Sequence, residues 1–351
     1  MKEKKRNIIL SETPSYITIG AHYKCNADCI FCLGGDYPDF SLEFYKSFFE
    51  KKLLDVMRAA DHVGFCGMGE VLLMPKLLEF LDYVNRESLP DVTKVFTTNG
   101  TPLKAAVREK LTDGKYSLII SLHASEPELH DFLLGKKSFD LIIENIKELV
   151  ALKKKKNSNL HINLVFLMTR HNMDNLPDFI RFASEIGAER VTCGHITIFN
   201  IDQLKLSCFL EQDKTNRILD EARKVAEEVS MDISLPLYFG EKDDSPQICD
   251  DPWNFFYTEV QGSVNPCCNA GNHIGYLNED SFEDIWNGEG YIRLRRGFIE
   301  EKPYKWCRYC ARYKKSNIND IRSHVTFRPE TRKEIMDYLE KNTDIPLPKN
   351  E

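Results

Sequence analysis

The chain has 351 residues, 42% of them hydrophobic and 29% charged, and its 47 Lys plus Arg against 54 Asp plus Glu give a net charge of −7. Those proportions exclude wholesale disorder, and the mild acidity excludes a nucleic-acid-binding surface spread over the whole molecule. The longest apolar runs, such as 164–168, are far too short to cross a bilayer, and the Lys-rich residues 2–6 do not make a secretory signal. Eleven cysteines without an export signal point to a reducing, cytoplasmic setting, where clustered thiols bind metal or do redox chemistry. The odd count also excludes a disulfide framework closed within one chain.

Residues 1–12 are polar and read as a loose arm. From 13 to 235, short β-rich runs alternate with amphipathic helical stretches. Strands are predicted at 16–20, 62–66, 94–98, 117–123, 161–168 and 190–193, with helices between them at 41–60, 75–87, 102–111, 138–153 and 175–186, and a last one at 212–229. Ser41 offers an N-cap hydroxyl, and Pro75 and Pro102 suit a first helical turn. Six β-α pairs predict an α/β fold with a parallel sheet. They are too few to close an eight-stranded barrel, so a partial (β/α)6 TIM-like barrel with an open side is expected. Residues 236–328 are loop-rich and carry five cysteines, which reads as a small domain with little helix, stapled by metal. A closing helix is predicted over Pro329–Lys341, within a tail of 329–351.

The loop after the first predicted strand reads Cys25-Asn-Ala-Asp-Cys29-Ile-Phe-Cys32. In a parallel α/β barrel that loop lies at the carboxyl ends of the strands, where such folds place their chemistry. Three neighbouring thiolates can hold three irons of a cubane and leave the fourth open. A zinc site with His22 as fourth ligand, or buried structural cysteines, are the alternatives on spacing alone.

This triplet, with Phe31 before its last cysteine, resembles the radical S-adenosylmethionine (SAM) superfamily, and the resemblance extends over residues 14–315. It implies a 4Fe–4S cluster on Cys25, Cys29 and Cys32, with SAM chelated at the free iron. One electron then cleaves SAM to methionine and a 5′-deoxyadenosyl radical, which takes a hydrogen atom from the substrate. Gly67-Met68-Gly69-Glu70 matches the family's Gly-Gly-Glu element, whose backbone carbonyls receive the SAM amino group; Met68 stands for its middle glycine. Thr98-Asn99-Gly100 is similar to the family's Thr-Asn-Gly, and Ser121 matches a residue that contacts the SAM ribose or carboxylate. Where many relatives place an arginine on that carboxylate, this chain has Leu134-Gly135-Lys136-Lys137, with Lys136 as the substitute. The implied SAM site is therefore Phe31, Gly67, Gly69, Glu70, Asn99, Ser121 and Lys136.

A second constellation follows: Cys249, Gly262, Cys267-Cys268 and Cys307-Arg-Tyr-Cys310. Spacing alone allows a four-cysteine zinc as readily as iron–sulfur. The order resembles the SPASM or twitch extension behind many radical SAM barrels, as do Gly275-Tyr-Leu, Ser281-Phe-Glu-Asp-Ile-Trp286-Asn287 and residues 293–296. Full SPASM domains hold two clusters and need further cysteines, and none follows Cys310. The resemblance therefore implies one auxiliary 4Fe–4S cluster on Cys249, Cys267, Cys307 and Cys310, with Cys268 the alternative to Cys267.

The expected activity is that of an oxidoreductase, a dehydrogenase acting on a small molecule such as a sugar or cyclitol, with the auxiliary cluster taking the second electron. An epimerase is one alternative; it needs a thiol outside both clusters to return a hydrogen atom, and Cys66 and Cys193, at predicted strand ends, are its candidates. Peptide (RiPP) maturation is another, although many such enzymes carry a leader-binding domain for which residues 1–15 leave no room. A non-enzymatic metal scaffold is the reading from a different class. His22, His123 and His195 lie near strand ends and are acid–base candidates. Expected partners are a small-molecule or peptide substrate and a flavodoxin- or ferredoxin-type electron donor, with no nucleic acid and no membrane.

Overall fold

A sheet closed partway into a barrel packs one face under helices and turns the other inward, so its strands should bury every second residue more deeply. The computed structural model describes residues 6–341 apart from 22, 35–37, 269, 271 and 327–328. Strands β1 (Tyr16–Gly20), β2 (His62–Cys66), β3 (Thr93–Thr98), β4 (Tyr116–Ser121), β5 (His161–Met168), β6 (Arg190–His195) and β7 (Asp232–Ser234) lie side by side in that order, all parallel. In β4 and β5 the buried and half-buried residues alternate. Leu118, Ile120, Leu164 and Phe166 pack into the main core, while Ser121 and Leu167 face the barrel interior. Inside, Asn163 Nδ2 donates to Thr192 Oγ1 at 3.1 Å.

The partial TIM-like barrel expected from the sequence is present, with β7 as a short addition. The expectation for the cysteine-rich region needs correction. It does not stand apart as a helix-poor appendage: β8 (Phe255–Thr258) pairs parallel with β1, and the antiparallel β9 (Ser263–Asn265) and β10 (Gly275–Tyr276) extend the same sheet. It also contains helices Phe282–Trp286 and Glu289–Ile299. Gly290 and Gly297 lie within the second of these and lower its helical signal in the sequence. Helix Pro127–Leu134 was likewise not foreseen. The described part of the arm, residues 6–12, is not loose either: Trp253 Nε1 donates to the Asn7 carbonyl at 2.8 Å, and Trp286 Nε1 to that of Glu12 at 3.0 Å.

The core beneath β1–β4 is aromatic. Phe40, Tyr45, Phe49, Phe65, Phe80 and Phe96 are wholly buried, and Phe65 meets Phe80 edge-on at 5.3 Å. Each buried phenylalanine contributes roughly 1.5–3 kcal/mol. A second core gathers Ile198, Phe209, Phe239, Ile321, Ile335 and Leu339, seating the predicted closing helix Pro329–Lys341. There Ile198 bridges to Val325, so the returning tail lines up with the chain beyond β6. Among the described residues no helix is long and apolar enough to cross a membrane.

The cysteine triplet loop is braced from the side by helix Pro127–Leu134. The Asp28 and Ile30 amides donate to the Leu134 and Leu133 carbonyls at 3.0 and 3.1 Å. Gly135 ends that helix at φ +70, and a Cβ there would lie 2.3 Å from the Asp28 carbonyl oxygen. A left-handed backbone costs a non-glycine residue about 1–2 kcal/mol before any clash. Gly135→Ala should therefore lower stability by at least about 1 kcal/mol and loosen the triplet loop. Thermal unfolding of the variant against the parent, with iron retention measured alongside, checks this.

Candidate active site

A cavity of about 1150 Å³ opens at the carboxyl ends of the barrel strands. Cys25, Cys29 and Cys32 all line it; Cys25 and Cys32 are exposed and Cys29 is half-buried. A turn closes the loop, with the Cys32 amide on the Cys29 carbonyl at 2.9 Å. Burial pushes the Cys29 thiol up to about 12, and Cys32 and Cys25 add to the rise. Burial also raises Cys25, as do Glu70 and Cys32. Three thiols gathered on one loop make a donor set suited to a cationic partner, whose binding expels their protons.

The loops after β2 and β3 form the adjoining wall. Gly67, Gly69, Glu70 and Asn99 all line the cavity, and Gly69 lies beneath the Tyr23 carbonyl with no room for a side chain. Glu70 is buried, and burial lifts its carboxyl to about 7. Both its oxygens are engaged: Oε2 accepts from the Asn99 amide at 2.6 Å and Oε1 from the Leu72 amide at 3.2 Å. Glu70 thus fastens two loops together. Asn99 Nδ2 donates to Asn26 Oδ1 at 2.8 Å and reaches the Cys25 sulfur at 3.9 Å, tying the third strand's loop to the triplet. Ser121 also lines the cavity, and Phe31 closes one side, edge-on to His123 at 4.8 Å.

Several expected site residues lie elsewhere. Lys136 is not among the described lining residues. The chain reverses at Gly135, and Lys136 Nζ donates instead to the Asn26 carbonyl at 3.1 Å, bracing the triplet loop from outside. Cys193 is in register with Phe166, on the helix-covered side of the sheet, and is buried in the main core, where burial and then Cys208 raise its thiol. Cys66, paired with Gly20 at the end of β2, is half-buried and outside the described lining; burial pushes it up to about 12, with Cys268 and Glu259 adding. His123 lines the cavity, but burial drives its imidazole down to about 3, with His130 adding, and its Nδ1 accepts from the Leu167 amide at 3.2 Å. It is a neutral ring protonated at Nε2, not an acid–base group near neutrality. His195 lies in the second core against Phe239 and His324, also pushed to about 3 by burial and then by His324. His22 lies outside the described residues.

The opposite wall escaped the sequence reading. It comes from the β8–β9 hairpin: Tyr257, Glu259, Asn265 and Cys268, with His273 beyond. Tyr257 donates its hydroxyl to Glu259 Oε1 at 2.7 Å, Asn265 Nδ2 approaches the same oxygen at 3.4 Å, and His273 Nδ1 shares a hydrogen bond with Asn265 Oδ1 at 2.9 Å. Alternation along 255–259 was the available signal, since it puts Tyr257 and Glu259 on one face.

Behind this hairpin, Cys249, Cys267, Cys307 and Cys310 line a pocket of about 50 Å³ with Leu294, Phe298 and Trp306. Burial raises Cys307 strongly, with Cys267, Cys310 and Cys249 adding in that order, and burial lifts Cys249 to about 11. Cys268 lines this pocket and the large cavity, whereas Cys267 does not line the latter. Among the described residues no three His, Cys, Asp or Glu side chains converge as one ion would need. Cys25, Cys29 and Cys32 share the large cavity and Cys249, Cys267, Cys307 and Cys310 the small pocket, the donor sets that a cubane with one open iron and a fully ligated cubane take.

A model of the radical SAM superfamily matches residues 21–183, and one of SPASM, an iron–sulfur cluster-binding domain, matches residues 249–311. The chain belongs to the radical SAM superfamily. Membership brings a 4Fe–4S cluster that binds SAM and iron–sulfur in the SPASM domain. Among relatives of this radical SAM protein, the PqqA peptide cyclase of Bradyrhizobium diazoefficiens is 24% identical over 332 residues, 88% of this chain and 83% of that protein. The mycofactocin maturase MftC of Mycolicibacterium smegmatis is 28% identical over 183 residues, 50% of this chain and 43% of the maturase. Among solved structures, Streptococcus suis SuiB bound to S-adenosylmethionine superposes with a TM-score of 0.61 at 16% identity, over 82% of this chain and 68% of SuiB. Native anSMEcpe with bound AdoMet gives 0.62 at 16%, over 93% and 97%. At these identities the two structures speak for the fold.

Anaerobically reconstituted protein should carry about eight irons, and replacing Cys25, Cys29 and Cys32 together by Ala should leave about four. Cys267→Ala should lose the auxiliary iron, while Cys268→Ala keeps it. Iron and zinc analysis of the four proteins checks both statements.

Proposed function

We propose that this radical SAM enzyme modifies a peptide, rather than dehydrogenating a sugar or cyclitol as the sequence suggested. The similarity to a peptide cyclase over 88% of the chain carries this reading, and the similarity of half the chain to a maturase supports it. In this reading residues 13–235 generate the radical, residues 236–328 carry the auxiliary cluster, helix Pro329–Lys341 closes the second core, and a flavodoxin- or ferredoxin-type protein donates the electron.

When bound, the cluster and SAM supply a carbon radical that removes a hydrogen atom from the substrate. The chain's own part is to hold the substrate between the triplet wall and the hairpin wall. Glu259 accepts the proton of the substrate group from which the hydrogen atom is taken, and the Tyr257 hydroxyl orients that carboxylate; Cys249, Cys267, Cys307 and Cys310 would hold the auxiliary cluster that takes up the second electron. Cys268, between Cys66 and the auxiliary thiols, faces the same space. Ser121, Asn99 and the Gly67–Glu70 loop hold SAM.

Reduced protein given SAM should release 5′-deoxyadenosine, and should do so faster with a candidate precursor peptide than with sugars or cyclitols. A loss of two mass units from the peptide supports cross-linking or dehydrogenation, and deuterium uptake from heavy water supports epimerisation. Turnover of a sugar while every peptide stays inert would overturn the reading. Glu259→Gln should slow product formation by roughly 10²–10⁴-fold yet leave uncoupled 5′-deoxyadenosine release intact, which separates proton transfer from radical generation in a single assay.

A further inference from the structure

The Trp286-Asn287 and Arg295 positions of the SPASM motif have no place in either cluster pocket. Their partners lie in the N-terminal arm. Asn287 Nδ2 donates to the Leu10 carbonyl at 2.9 Å, and its Oδ1 accepts from the Leu10 amide at 2.9 Å, so one side-chain amide pairs with both main-chain groups of a residue as a neighbouring strand would. Arg295 Nη1 donates to the Ile8 carbonyl at 3.0 Å, Trp253 Nε1 to Asn7 at 2.8 Å and Trp286 Nε1 to Glu12 at 3.0 Å. All five hydrogen bonds go to the arm's main chain. Among the described arm side chains, Arg6 pairs with Asp250 at 2.6 Å and lies 5.0 Å over the Trp253 ring. Ile9 is 67% exposed, so its side-chain identity counts for little, whereas Leu10 also packs its side chain against the main core.

The receiving face is packed and hydrogen-bonded within its own domain. Arg295 is wholly buried, its guanidinium 4.4 Å from the Trp286 ring centre and 5.1 Å from that of Tyr291, with Nε fixed on the Pro252 carbonyl at 2.8 Å. A buried guanidinium is costly to leave unpaired, and the arm supplies one of its acceptors.

We propose that Trp253, Trp286, Asn287 and Arg295 form a binding site for polypeptide main chain, filled in cis by residues 7–12, and that this strap fastens the SPASM domain to the barrel. The arm runs directly into β1, whose far end opens into the cysteine triplet, while Trp253 follows Cys249 by four residues. The strap therefore shares with the β1–β8 pairing the task of holding the two thiol sets in register, whichever reaction the cavity performs.

Hydrogen–deuterium exchange on the full-length reconstituted protein tests this. The Leu10 amide should be protected, and Asn287→Ala should speed its exchange about ten-fold, the worth of one net hydrogen bond, while β2 amides keep their rates. A Leu10 amide that exchanges at the free-chain rate in the parent, or is unchanged in Asn287→Ala, overturns the proposal. A second arm uses protein starting at Thr13 and a synthetic peptide of residues 6–13, followed by tryptophan fluorescence, since Trp253 and Trp286 are two of the three tryptophans. The peptide should bind saturably, an Ile9→Ala peptide equally well, and a peptide N-methylated at Leu10 about ten-fold more weakly. Equal binding of the N-methylated peptide overturns the main-chain reading. Should the shortened protein aggregate, the exchange measurement decides alone.

Discussion

One strand is shared by both halves of the molecule. β1 pairs with β2 on one side and with β8 on the other, in register from Tyr16 against both His62 and Phe255. The loop that leaves β1 carries the cysteine triplet, so that loop is flanked by the Gly67–Glu70 turn and by the hairpin that leads to Cys267. Gly20 makes the second neighbour possible: a Cβ there would sit 2.9 Å from the Glu259 Cα. A side chain at that point would push the hairpin off the barrel and move Glu259 away from the cavity. The relative placement of the two thiol sets is thus a consequence of backbone pairing, which is far stiffer than a linker between independent domains.

The charge of the cavity follows from the same arrangement. Among the described lining residues there are two carboxylates, Glu70 and Glu259, several thiols, and no lysine or arginine. A site of that kind favours cationic occupants and resists anionic ones. A sulfonium and its ammonium group suit it well. The SAM carboxylate does not, and the basic residue expected to meet it, Lys136, is spent on the Asn26 carbonyl. Among the described residues the side chain of Ser121 lines the cavity from the fourth strand, whereas that of Asn99 is itself tied to Asn26 and Cys25. Glu70 contributes less charge than its formal count suggests, because its burial without a cationic partner holds the carboxyl at about 7.

Much of this was legible in the sequence, for a physical reason. Parallel strands and their helices have strong periods, so β1, β2 and β5 were expected at the limits they adopt, and thiol clusters at fixed spacing announce metal chemistry before any fold is known. What failed were questions of side-chain direction. Cys193 and Ser121 both stand at strand ends, yet register with β5 turns one into the core and the other into the cavity. No local pattern reveals that parity until neighbouring strands are aligned. His123 and His195 failed differently: their positions were read correctly as lying near strand ends, but burial strips both of acid–base capacity near neutrality. The hairpin wall was missed because Tyr257 and Glu259 matter only through the pairing of β8 with β1, a contact between residues more than two hundred positions apart.

That long-range pairing also bears on which part of the molecule chooses the substrate. The barrel wall is committed to the triplet loop and the turns that brace it: Asn99 to Asn26 and Cys25, Glu70 to Asn99, and His123 to Leu167. Side chains so tied cannot be changed without disturbing the cysteine loop. The facing wall is made of the hairpin and of the returning tail around Ser323 and Val325, neither of which carries the triplet. In the peptide-modifying reading, radical generation and substrate choice therefore reside on opposite surfaces of one cavity. Substitutions at Tyr257 or His273 can alter what is accepted without loosening the thiols that begin the chemistry. The sheet makes this division workable, since β1 fixes the distance between the two walls while leaving each free to differ in its side chains.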